Sequence, residues 1–106
     1  MVKHILPSPM LEIQEFQWGD GTAPFADWFK RLPARTADRV DTALRRMRHG
    51  NLGDVERVGE GFFERRLHFG PGYRIYFGRE GNQVVILLAG GTKRTQGRDT
   101  QAARRL

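Results

Sequence analysis

The chain predicts an α+β fold, one antiparallel β-sheet with helices packed on one face. Three observations carry that expectation. Residues 62–89 hold three strand-like runs separated by two short turns, Gly70-Pro71-Gly72 and Glu80-Gly81-Asn82, the pattern of a meander. Upstream, apolar residues recur at helical spacing on both sides of Pro33. Finally, 106 residues without cysteine leave room for one domain with a single core and no disulfide staple.

In chain order, residues 1–9, with Pro7 and Pro9, read as a flexible tail, and residues 10–106 as one domain. Residues 11–16 alternate apolar and polar with period two, the mark of a half-buried strand. Pro24 suits the first turn of a helix, with Thr22 as its cap, and Phe25, Trp28, Phe29 and Leu32 repeat at i, i+3, i+4, i+7. Pro33 ends that helix and opens a second. There Ala37, Val40, Leu44 and Met47 form the apolar stripe, while Arg35, Arg39, Arg45 and Arg48 face elsewhere. Gly50 and Gly53 stop it, residues 55–58 begin the strands, and residues 84–89 are apolar on both faces, as a covered central strand requires. The segment from Arg94 onward predicts a short C-terminal helix capped by Thr95 or Asp99.

Charge narrows the function. The net charge is +6, and all of the excess lies in residues 62–106, where nine of the 18 basic residues face only Glu64, Glu80 and Asp99. A one-sided basic surface is the footprint of a polyanion binder. No apolar run reaches membrane-spanning length and no signal peptide opens the chain, so a cytoplasmic protein without membrane association is expected. The three histidines are isolated and the acidic residues never fall at ligand spacing, so neither metal nor cofactor is expected. The lone serine, Ser8, stands in the tail, which argues against a serine hydrolase.

With Gly70-Pro71-Gly72 as a three-residue loop, the hairpin register sets Phe69 opposite Tyr73, Leu67 opposite Ile75 and Arg65 opposite Phe77. The other face then pairs His68 with Arg74 and Arg66 with Tyr76, with Glu64 alongside. Like charges held this close call for an anion between them, either Glu64 or a phosphate. Lys93 and Arg94 follow the Gly90-Gly91 strand end and add two further cations. Arginine, lysine, tyrosine and histidine suit one metal-free reaction, attack of an RNA 2′-hydroxyl on its neighbouring phosphate, which DNA cannot undergo.

Phe63-Glu64-Arg65-Arg66-Leu67-His68-Phe69-Gly70-Pro71-Gly72-Tyr73-Arg74-Ile75-Tyr76-Phe77 resembles the E-x-R…GPGYRxYF signature of HigB-like toxins. These form the phage-derived "addiction module killer" branch of the RelE/ParE superfamily of type II toxin–antitoxin systems. The likeness extends through Pro24–Trp28, Gly50–Asp54, Leu87–Gln96, Asp99 and Ala102, covering residues 11–106. It implies a RelE-like fold, two N-terminal helices packed on a twisted antiparallel sheet. It further implies a metal-independent mRNA endoribonuclease acting on translated mRNA at the ribosome, held in check by a cognate helix-turn-helix antitoxin. Matching positions assign Arg66, Arg74, Tyr76 and Lys93 to catalysis, with His68 as a second proton-transfer candidate. Beyond those matching positions, the basic side chains His68, Arg94, Arg65 and Arg98 are expected to bind phosphate. Arg65 departs from the family pattern, which has an apolar residue there. Two alternatives stand beside this reading: a ParE-like inhibitor of DNA gyrase, and a non-catalytic RNA- or ribosome-binding module.

Overall fold

A computed structural model describes residues 10–106; the tail expected at residues 1–9 lies outside them. The elements run β1 (Glu12–Glu15), α1 (Pro24–Lys30), α2 (Ala34–Arg48), β2 (Asp54–Gly59), β3 (Phe62–Leu67), β4 (Tyr73–Glu80) and β5 (Val84–Thr92). A 3₁₀ turn (Lys93–Thr95) then leads into α3 (Gln96–Arg104).

All five strands form one sheet in the order β1-β5-β4-β3-β2. From β2 to β5 every neighbouring pair is antiparallel, but β1 pairs parallel with β5. The sheet is therefore mixed, and the helices follow β1 and end the chain. This overturns the expectation of two N-terminal helices packed on an antiparallel sheet. The physical reason lies in the path of the chain. After β1 it travels through α1 and α2 to the far edge and returns across the sheet as a four-strand meander. Alternation along the meander leaves β5 running the same way as β1. The period-two pattern of residues 11–16 specifies a half-buried strand, but neither its neighbour nor its direction.

Helices also cover both faces rather than one. On one face Phe25 and Trp28 of α1 and Val40, Ala43 and Met47 of α2 pack against Leu67, Ile75, Phe77, Val85 and Leu87. On the other, Ala103 of α3 packs with Phe62 and Tyr76. Pro24 opens α1 as expected, but the cap position is Ala23, and Thr22 instead bonds the Asp20 carboxylate. Pro33 at the start of α2 supplies the extended φ and ψ that reset the chain direction between the two helices.

Gly90 and Gly91 act as spacers. A β-bulge in β5 beside the Tyr76/Phe77 step reorients the strand, so Gly90 faces α1 and Gly91 faces α3. A Cβ on Gly90 would sit 2.1 Å from the Trp28 ring, and one on Gly91 would sit 1.9 Å from the Asp99 carboxylate. Both helices reach the sheet only because these side chains are missing. Gly90→Ala is therefore expected to cost about 3 kcal/mol in urea denaturation, since the buried indole has no room to move. Gly97→Ala, in α3 with nothing within 4 Å, is expected to stabilise by roughly 0.5–1 kcal/mol in the same assay.

Candidate functional site

β3 and β4 pair as Leu67 with Tyr73, Arg66 with Arg74, Arg65 with Ile75, Glu64 with Tyr76 and Phe63 with Phe77. That is two residues away from the expected register. The faces survive, because a shift of two preserves side-chain alternation, but the neighbours change. The connection is wider than a three-residue loop: it runs from His68 to Gly72, with Gly70 at φ +53° and Gly72 at φ +79° bending the backbone around Pro71. His68 thereby leaves the ladder.

On the α3 face the strands set out two rows. Asp54, Arg66, Arg74 and Gly91 lie side by side, and Glu56, Glu64, Tyr76 and Ala89 form the adjacent row. Glu64, fully buried, sits at the centre. Arg74 Nη1 donates to its Oε1, Arg66 Nε donates to the same oxygen at 3.3 Å, and Gln96 Nε2 from α3 donates to Oε2 at 3.0 Å. Arg66 also reaches outward to Glu56 and, at 3.8 Å, to Asp54. The two guanidiniums thus meet three carboxylates, and the position between them is filled by Glu64.

Tyr76 is completely buried, with its ring stacked on Phe62 at 6.2 Å. Its hydroxyl has no hydrogen-bond partner; Thr100 stands nearby without completing a bond. Burial, partly offset by Thr100, pushes the phenol up to about 12. At neutral pH it is a proton donor and not a base.

The remaining site residues occupy three places. Lys93 and Arg94 are exposed on the 3₁₀ turn, and Arg98 is exposed one turn further on in α3. The backbone N–H of Lys93 donates to the Gly72 carbonyl at 2.6 Å, which ties the end of β5 to the start of β4. His68 is exposed, with Nε2 2.5 Å from Asp54 Oδ2; that contact, with help from Arg66, holds the Asp54 carboxyl below the usual carboxylate range. Arg65 points to the opposite face, against α2, where it is buried and donates to the Leu52 carbonyl at 2.6 Å. The structure thus brings Arg66, Arg74 and Tyr76 together and sets Lys93 at the same end of the sheet. It does not bring His68 or Arg65 to that cluster.

Sequence reading missed how many partners the cluster carries. Gln96 had no signal, because its contact with Glu64 spans 32 residues. Glu56 was legible only as a strand residue, and Asp54 only as the end of the Gly50–Asp54 likeness, until β2 was placed beside β3. Among the described residues no group of three or more acidic or histidine side chains is placed to hold a metal, and no helix is long and apolar enough to cross a membrane.

Fold and site together define a small α+β protein with a mixed five-stranded sheet, an internal Glu–Arg cluster on one face and, at one sheet end, exposed cations with no acidic partner among the described residues. A protein of Haemophilus influenzae, described as an uncharacterized protein, is 37% identical over 86 residues, covering 80% of this chain and 87% of the relative. The chain belongs to the family of that protein. No family model and no solved structure matches it.

Tyr76→Phe removes a buried hydroxyl that bonds to nothing, so its melting temperature is expected to equal or exceed that of the parent. The sign of the pH effect follows from the raised phenol. From pH 10 to 12 the unfolded chain releases this proton while the folded one keeps it, so stability falls across that window. Thermal melts between pH 8 and 11.5 are expected to show a shallower alkaline decline for Tyr76→Phe.

Proposed function

We propose that this protein is the toxin half of a type II toxin–antitoxin pair and acts as a metal-independent endoribonuclease on translated mRNA. The observation that carries this reading is the gathering of cations from β3, β4 and the 3₁₀ turn after β5 at one sheet end. Arg66 and Arg74 are cross-strand neighbours, Arg74 lies opposite Gly91, and Lys93 and Arg94 follow two and three residues later. Such an end suits a polyanion that must be held while charge builds on phosphorus. The likeness of the GPGYRIYF hairpin to HigB-like toxins supports the same conclusion. It also names the expected partners: mRNA, the ribosome and a cognate helix-turn-helix antitoxin. A cytoplasmic location follows from those partners.

The geometry refines the expected roles. Arg74 is nine-tenths buried and engaged by Glu64, so its part is to hold the site together as well as to carry charge. Exposed Lys93 and Arg94 offer the direct phosphate contacts. Tyr76, protonated at neutral pH, fits by its protonation state the acid that serves the departing 5′-oxygen, with its hydroxyl buried beneath α3; His68, which stands apart from the cluster on Asp54, is the lesser proton-transfer candidate. The burial of Tyr76 and Arg74 under α3 also favours a second reading, a non-catalytic RNA- or ribosome-binding module.

Primer extension on a defined mRNA in a bacterial translation extract separates the two. The nuclease reading expects discrete new RNA ends with the parent protein, and loss of about tenfold or more of that signal in Lys93→Ala, an exposed position whose replacement spares the core. Translation arrest without new ends would favour the binding module. New ends undiminished in Lys93→Ala would remove Lys93 from the site.

A further inference from the structure

A second cationic feature lies where α2 meets the β2–β3 edge of the sheet, in a cleft of about 440 Å³ between α2 and the end of β3. Arg39, Thr42 and Arg46 line it from α2, at i, i+3 and i+7, so they share one face of that helix. Arg65, Arg66, Asp54 and His68 line it from the sheet side.

Arg65 is the unusual member. It is nine-tenths buried, yet no carboxylate lies within ion-pairing distance of it among the described residues. One nitrogen donates to the Leu52 carbonyl, and Nε is buried without any acceptor. A buried guanidinium with so little compensation is costly unless something negative joins it. Burial and then the neighbouring Arg46 charge work against its protonated form, offset in part by the Asp54 carboxylate. The fold nevertheless makes room for this side chain. Gly53, at φ +71°, lies flat against the guanidinium, and a Cβ there would come within 2.2 Å of Arg65 Cζ.

The other two cations are equally unclaimed. Among the described residues neither Arg39 nor Arg46 has an acidic partner; Arg39 rests over the Phe69 ring at 4.8 Å, which holds it at the cleft mouth. The one carboxylate in the wall, Asp54, is already engaged by His68 and Arg66. Four arginines from two elements thus line a space whose single carboxylate, Asp54, is held by His68 and by one of the four, Arg66, leaving Arg39, Arg46 and Arg65 without an ion-pair partner among the described residues.

We infer that this cleft is a second binding site, which takes a backbone phosphate of single-stranded RNA through Arg39, Arg46 and Arg65. The inference rests on the RNA reading above for the identity of its ligand. The strand register favours a long polyanion over an isolated phosphate ion. Leu67, Tyr73 and Thr92 are aligned across β3, β4 and β5, so the cleft and Lys93 open at the same end of the sheet on its two sides. One RNA strand crossing that end meets both.

The test compares the full-length protein with Arg39→Gln/Arg46→Gln and with a control of equal charge loss outside the cleft, Arg35→Gln/Arg48→Gln. Binding of a fluorescent single-stranded RNA dodecamer is followed by anisotropy from 50 to 300 mM salt, with melting temperatures confirming the fold. The cleft variant is expected to bind about tenfold or more weaker, with its log–log salt slope reduced by roughly 1–1.5, as loss of two phosphate contacts implies. The control is expected to change less than about twofold. Arg46→Gln alone, which removes no aromatic contact, is expected to give an intermediate loss.

Equal losses in cleft and control variants, or no loss in either, overturn the inference. Inorganic phosphate is titrated in parallel while the Arg65 Nε–H resonance is watched. A shift with phosphate in a protein that ignores RNA keeps the anion site and overturns RNA as its ligand. No shift with either probe overturns the site. RNA that binds through the cleft and is never cut counts against the nuclease reading alone. RNA cut by a protein whose cleft variant matches the control counts against the cleft alone.

Discussion

The burial of one carboxylate, Glu64, constrains most of this structure. A charge with no exposure must be matched by donors, and its donors come from distant parts of the chain: Arg66 on its own strand, Arg74 across the hairpin and Gln96 on α3. These contacts bind the hairpin to the C-terminal helix and fix α3 over the sheet. Tyr76 is enclosed as a consequence, because Ala103 and Phe62 close on its ring once α3 is in place. Gly91 serves the same arrangement by leaving space for Asp99, which accepts a hydrogen bond from Thr95 at the start of α3.

This network divides the basic residues on the α3 side into two populations. Arg66 and Arg74 are neutralised inside the fold, whereas Lys93, Arg94 and Arg98 stand exposed on the last turn and helix. Lys93, Arg94 and Arg98 thus carry positive charge to solvent near the end of the sheet where β3, β4 and β5 open. Interior pairing sets the shape of that end, and the exposed cations set its field. The proposed RNA chemistry draws on both: a rigid frame with the electropositive groups outside it.

Much of this was legible in the residues, and the exceptions share a cause. Periodicity gave α1, α2 and the meander because each is a local pattern: Phe25, Trp28 and Phe29 on one helix face, Ile75 and Phe77 on one strand face. The same reasoning placed Arg66, Arg74 and Tyr76 on a common face. It missed their true neighbours because alternation fixes the parity of a register and not its value, so a wider loop moved Glu64 opposite Tyr76 and released His68 from the ladder. The parallel pairing of β1 with β5, the Gln96 contact and the packing of Arg65 against Gly53 are long-range facts with no local signature. Gly90-Gly91 was visible as unusual, but its reason, a helix approaching from each side, appears only when Trp28 and Asp99 are in place.

A double-mutant cycle between Glu64 and Arg74 addresses the dependence on the buried carboxylate most directly, using Glu64→Gln, Arg74→Met and the double variant in urea denaturation. The account predicts that each single change destabilises strongly, by about 3–5 kcal/mol, because either leaves a buried charge without its partner. The double variant is predicted to recover part of that loss, with a coupling energy of about 2–3 kcal/mol. A coupling below about 0.5 kcal/mol would contradict it, showing that Glu64 and Arg74 are accommodated independently and that the hairpin and α3 are held by apolar packing alone.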